Sequence, residues 1–339
     1  APEPPLPPPR PPRVTELTLR WSVDVGLGMN SVSFRPPSWS EVATVDAPLG
    51  GPGTVRRWSA ATGEPLGSLG DVGDGAIVAW APDGKRLLAS GRQRTVLWDV
   101  DTGAVIKEYE NDRIMERPAE RTPERLEGLA GYQLRSVRFL ADGRLLCADL
   151  QRRAVFLDPT TLAPTRFHPF AGFEVESVDL SARGDALGAV VLRELRPGAD
   201  SCLVKAREQD LSGVPQAASH EGQPLIVSDG QFCGNNLAVS GLWNVDGIFV
   251  WDLDGAATVV PAIDPPPQDG GVPRIAVAGQ TVLGVSRDGS LLVWDLRCDA
   301  SCVLRHRGAH TTSAAIAVTP DGTCLATAGA DGKLVVWDL

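Results

Sequence analysis

Lysine is nearly missing from this chain. Of its 32 basic residues only Lys85, Lys107, Lys205 and Lys333 are lysine; the rest are arginine. Acidic residues outnumber basic ones, giving a formal charge of −10, which argues against general affinity for nucleic acid phosphates or anionic lipid. No apolar stretch approaches the roughly 18 residues of a membrane helix. The N-terminus has neither the apolar core of a signal peptide nor an initiator Met, so Ala1 reads as a cut end. Four histidines are a small inventory for an enzyme of this length, and no G-x-S-x-G, Walker A or H-E-x-x-H stretch is present. Helical periodicity is almost absent as well.

What remains is an ordinary globular composition, 43% apolar and 22% charged, in a chain of 339 residues. That length suffices to bury roughly three quarters of the unfolded surface. The first 13 residues, "APEPPLPPPRPPR", must be extended, because each proline fixes φ and removes a donor. They read as a semi-rigid linker to a missing N-terminal neighbour. "PLPPPR" also fits the PxxPxR pattern of SH3-type ligands, a match that arises freely in proline-rich linkers.

Beyond residue 13 a unit recurs. Its strong copies are "TVLWDVDTG" at Trp98, "IFVWDLDG" at Trp251, "LLVWDLRCD" at Trp294 and "LVVWDL" at Trp337. A weaker copy lies at Trp58, a degraded one at Leu157 and the faintest at Val204. Successive anchors are separated by 40, 59, 47, 47, 43 and 43 residues, and a period near 43 is that of one four-stranded propeller blade. Within each interval, short β-rich runs alternate with turn formers such as "PDG", "GRQR" and "DTG". The expectation is an all-β, seven-bladed propeller over residues 14–339. The last copy ends at Leu339 with no sequence left for a fourth strand, so "VTELTLRW" (Val14 to Trp21) is expected to pair beside "KLVVWDL" and close the ring.

These residues resemble the WD-repeat β-propeller family, with repeats divergent enough that the third and fourth rest on spacing alone. The resemblance implies a hydrogen-bonded chain of His, Ser or Thr, Asp and Trp in each blade. Only the last blade matches at every place, through His310, Thr327, Asp331 and Trp337. The other blades are expected to rely on apolar packing.

Candidate chemistry outside that chain is sparse. Cys298, Cys302, His306 and His310 recur every fourth residue, but along a strand rising about 3.3 Å per residue they would stand about 13 Å apart, so no metal site is expected. Cys298 and Cys302 bracket a turn in which a disulfide could form. Cys147, Cys202, Cys233 and Cys324 read as scattered core residues, which fits a reducing cytoplasm. His168 and His220 are expected in connections between blades. "AATGEP" and "DVDTGA" are similar to turns of quinone-cofactor propeller dehydrogenases, but their Trp precedes the Gly instead of following it; they read as hairpin turns, and no cofactor is expected.

The resemblance implies partner recruitment on the face where hairpins between second and third strands meet the connections between blades. Arg92, Arg94, Arg135, Trp243 and Arg287 are expected there, and Arg and Trp are typical interface anchors. The long interval carries a charged insertion, about 110–131, between the second and third blades, with a short helix expected around "RTPERLEGLAG". Arginines of this kind suit phosphorylated or carboxylate-rich peptides. The expected function is a non-catalytic scaffold or sensing module for a protein or peptide, or for another domain of the same polypeptide, with no nucleic acid partner and no membrane insertion. The arginine bias, which resembles high-GC bacterial coding, and the family's habit of joining signalling enzymes suggest a larger bacterial signalling protein. The alternative is a propeller enzyme or small-molecule binder using the central channel.

Overall fold

The computed structural model describes residues 14–26, 28–46, 51–111, 134–140, 143–149, 153–169, 173–180, 187–194, 201–207, 215–217, 219–220, 223–224, 227–233, 237–242, 245, 247–252, 257–262, 271–297, 301–312 and 314–339. The chain enters through β1 (Thr18–Asp24) and then builds antiparallel sheets in sequence order. The first comprises β2 (Met29–Phe34), β3 (Glu41–Asp46), β4 (Thr54–Ser59) and β5 (Pro65–Asp71). The second comprises β6 (Ile77–Trp80), β7 (Arg86–Ser90), β8 (Arg94–Asp99) and β9 (Val105–Glu110). The third comprises β10 (Leu134–Phe139), β11 (Leu145–Asp149), β12 (Arg153–Leu157) and β13 (Pro164–Pro169). The fourth comprises β14 (Phe173–Leu180), β15 (Leu187–Glu194), β16 (Ser201–Arg207) and β17 (Pro215–Ala217), followed by a small hairpin of β18 (Ser219–His220) and β19 (Gln223–Pro224).

The fifth sheet holds β20 (Val227–Cys233), β21 (Leu237–Leu242), β22 (Gly247–Asp252) and β23 (Ala257–Pro261). The sixth holds β24 (Arg274–Ala278), β25 (Thr281–Val285), β26 (Leu291–Asp295) and β27 (Ser301–His306). The last joins β28 (Ala314–Val318), β29 (Cys324–Gly329) and β30 (Lys333–Asp338) to β1 from the other end of the chain. All seven anchors of the sequence repeat, Trp58 to Trp337, fall on the third strand of a sheet, including the faint copies at Leu157 and Val204.

The first strands pack in a closed circuit, β2 against β6, then β10, β14, β20, β24 and β28, which returns to β2. Such a circuit of four-stranded sheets is consistent with the blades of a propeller. Burial follows position in the sheet. The middle strands β25, β26 and β29 are buried at every residue, and their sequences, such as "LLVWD", are correspondingly apolar throughout. The outermost strands β5 and β9 are largely exposed and carry Lys, Glu and Ser.

The core lies between neighbouring sheets. Val45, Val55 and Val72 of the first meet Trp80, Leu87 and Trp98 of the second. Leu283, Leu291 and Val293 of the sixth meet Leu325, Val335 and Trp337 of the last, and Val14 is buried in the same cluster.

Closure follows the expected pairing, with a shift in bounds. β1 begins at Thr18 and runs on to Asp24, pairing Thr18 with Asp338 and Asp24 with Lys333 across a register shift between Leu19 and Trp21. Trp21 also reaches the first sheet, where its Nε1 donates to Ala60 O at 2.9 Å. Arg20 bonds both Asp338 and Ala60 O.

Three expectations concern residues outside the described set: the proline-rich segment 1–13, nearly all of the insertion (112–133), and its short helix. His168 lies in β13, the outer strand of the third sheet, and not in a connection as expected, whereas His220 lies in β18, in the small hairpin that connects the fourth and fifth sheets. His168 extends an outer strand that pairs Ala154 with it. No helix among the described residues is long and apolar enough to cross a membrane.

Candidate functional site: a hairpin face around a central cavity

Hairpins between second and third strands emerge on the same side as the connections between sheets, because backbone hydrogen bonds tie the two together. Val25 N donates to Gly332 O, Arg92 N to Asp74 O, Arg287 N to Gly271 O and His310 N to Gly289 O, at 2.8 to 3.2 Å. Gly289 is needed at such a junction: its φ is +78°, and a Cβ there would stand 2.1 Å from His310 O. On this face Asn111 and Leu134, which flank residues 112–133, are both pinned to the second sheet. Asn111 N donates to Gln93 O at 2.7 Å, and Leu134 N donates to Ser90 Oγ at 2.9 Å.

A cavity of about 270 Å³ opens at the centre, lined by residues of the first strand of every sheet. Among the described lining residues, Arg135, Arg138, Arg274 and Asp229 are charged. Much of the remaining polar lining is spent on joining sheets. Ser31 Oγ accepts from Val78 N, Ser177 Oγ donates to Asp229 and Gly230 O, and Gln231 Nε2 donates to Ile275 O. Arg138 lies 3.7 Å from Asp179.

The predicted face residues divide. Arg92 is 69% exposed at a hairpin tip, 3.5 Å from Asp74. Arg94 is turned along the sheet, with Nε donating to Asp71 O at 2.6 Å and Nη1 3.6 Å from Glu108. Arg135 lines the cavity, and Arg287 is exposed on its hairpin. Trp243 lies outside the described residues.

His310, Thr327, Asp331 and Trp337 meet in the last sheet. Trp337 Nε1 donates to Thr327 Oγ1 at 3.4 Å, Thr327 Oγ1 is 2.8 Å from His310 Nε2, and His310 Nδ1 is 3.0 Å from Asp331 Oδ1. The indole can only donate. The carboxylate can only accept, so Nδ1 donates to Asp331, and with the proton on Nδ1 Thr327 is placed to donate to Nε2. Burial pushes the Asp331 pKa up, but bonds from His310, Thr311 N and Lys333 N outweigh it and leave the carboxyl below its ordinary range.

Other polar devices escaped the sequence reading. Thr44 in β3 accepts from Trp58 Nε1 at 3.0 Å, so the first sheet has an indole–hydroxyl pair of its own. In the second sheet Ser90, Thr95 and Asn111 form a buried network. Both pairs have a signal: a hydroxyl on the second strand, two residues beyond the partner of the Trp, as Thr327 is to Leu325. On the opposite face Arg35 donates to Gly84 O, Glu41 and Asp101, and its guanidinium sits 5.2 Å over Trp80, which clamps the first two sheets.

Cys302 Sγ is directed at Leu304 O at 3.6 Å along β27. The Cys298–Cys302 bridge considered from sequence involves Cys298, which lies outside the described residues. Cys147, Cys233 and Cys324 are buried, and burial pushes the Cys233 thiol up to about 12 and that of Cys324 to about 11. Such thiols are poor nucleophiles. The remaining members of the C/H series are committed elsewhere: His306 meets Trp337 edge-on, with ring centroids 4.9 Å apart, and His310 belongs to the hydrogen-bonded chain.

Residues 301–338 match the WD domain, G-beta repeat family. That terminal segment is similar to a WD40 repeat. This WD40 unit comprises β27 and β28 to β30, so the sequence repeat is offset by one strand from the sheet it completes. Over 135 residues the chain is 27% identical to the periodic tryptophan protein 2 homolog of Mus musculus, a stretch covering 39% of this chain and 13% of that protein. The chain thus corresponds to a small part of that relative's length. WD40 domains typically serve as protein-interaction scaffolds and are usually non-catalytic.

Proposed function

We propose that all seven sheets are divergent WD40 blades of one propeller, and that the chain is a non-catalytic platform binding a protein or peptide on the hairpin face. The observation that carries this reading is the backbone anchoring of that face. Among the described residues, hairpins and connections are bonded to one another at the first, second, sixth and last sheets, so exposed Arg92 and Arg287 are held on rigid supports beside the cavity mouth. Preorganised, planar, multidentate groups lose little entropy on binding. The partner is a separate protein or another domain of the same polypeptide, and the setting is a larger bacterial signalling protein in the cytoplasm. The arginine bias and the unbridged Cys233 and Cys324 support that setting.

The test is to purify the chain within its full-length parent together with bound proteins, then repeat with Arg92→Ala, Trp243→Ala and Arg287→Ala. Reduced recovery of the same partner is expected for each variant. Unchanged recovery with all three would reject the face assignment.

A further inference from the structure

The hairpin face is not uniform in charge, and the sixth sheet stands out. Its strands place one row at this end: Arg274 pairs with Val285, Val285 with Leu291 and Leu291 with His306. Arg287 lies two residues beyond Val285 on the hairpin, and Arg307 directly follows His306. Strands lie about 4.8 Å apart, so the three arginines begin within about 15 Å of one another, from the cavity mouth to the rim. All three are exposed. Among the described residues none of them meets a carboxylate, and the described acids Asp288, Asp331 and Asp229 are already engaged. Asp288 accepts from Ser286, from Ser290 N and from Arg305 Nη2 at 2.8 Å; burial raises its pKa, but these bonds win and hold it down at about 2. Asp331 is held by His310, and Asp229 by Ser177.

We infer that this ridge binds an extended, carboxylate-rich peptide segment laid radially from the cavity mouth across the sixth sheet. The inference rests on the platform reading and adds the partner's chemistry and its track. Among the described residues, three guanidiniums without a carboxylate partner stand out on a chain of charge −10, which steers an acidic segment to this sheet. A span of about 15 Å accommodates four or five extended residues.

The probe is a fluorescein-labelled hexaglutamate peptide, read by anisotropy at low and physiological salt, with hexalysine as control. Saturable binding that weakens with salt is expected for hexaglutamate only. Arg274→Glu, Arg287→Glu and Arg307→Glu should each lower affinity by about threefold to tenfold, while Lys107→Glu on the outer strand β9 leaves it unchanged. Thermal melts verify that each exposed substitution leaves the fold intact. No saturable binding, or equal weakening by Lys107→Glu, would overturn the ridge, as would displacement by pyrophosphate at lower concentration than by unlabelled peptide. If the peptide fails while partner recovery still depends on Arg92, the ridge falls and the platform stands. If recovery is also indifferent to Arg92, Trp243 and Arg287, the platform reading itself falls.

Discussion

Thr327 shows how much one hydroxyl can hold. It is fully buried, accepts from Trp337 and donates to His310. Thr327→Val keeps the shape but strands both partners, each at a cost of about 1–3 kcal/mol. The expected outcome is a lower urea midpoint at unchanged m-value in equilibrium unfolding. The four residues of this chain were legible because their types and spacing are those of the WD-repeat pattern. Thr44, Asn111 and Arg35 were not, since a threonine on a β-prone run or an arginine in a loop is ordinary in sequence and acquires its role only when a neighbouring strand or sheet brings its partner. Arg35 meets Asp101 across 66 positions.

The strands individually repeat one plan, yet the indole does not occupy one environment. In the first and last sheets it bonds a threonine on the second strand. In the sixth, the corresponding place in β25 is Gly284, where a Cβ would stand 2.5 Å from Val272 and 3.0 Å from the ring of Trp294; the indole bonds Pro261 O of the fifth sheet instead. Restoring the family's hydroxyl here should therefore harm the fold. Gly284→Thr is expected to lower Tm, by the few degrees that follow from about 1–3 kcal/mol of overpacking in a domain of this size, whereas consensus reasoning would forecast a gain. Differential scanning calorimetry separates the two. From sequence the glycine reads as a gap in the pattern; the packing shows that the ring has moved into it.

Across the whole molecule, stability depends on joining ends 300 residues apart. β1 covers the edge of β30, and Trp21 and Arg20 carry the closure into the first sheet. Removing residues 1–24 should expose a paired-strand edge, lower Tm and promote association, seen as higher mass in size-exclusion chromatography with light scattering; a monomer of unchanged Tm would contradict this. The residues alone determined where each third strand lies, because strand periodicity and turn chemistry are local; that β1 completes the final sheet is shown by its pairing with β30. Only the tertiary structure decided which arginines remain unpaired and which polar groups join sheets. Charge pairing depends on distances between segments remote in the chain, and those are set by the register of strands and the closing of the ring.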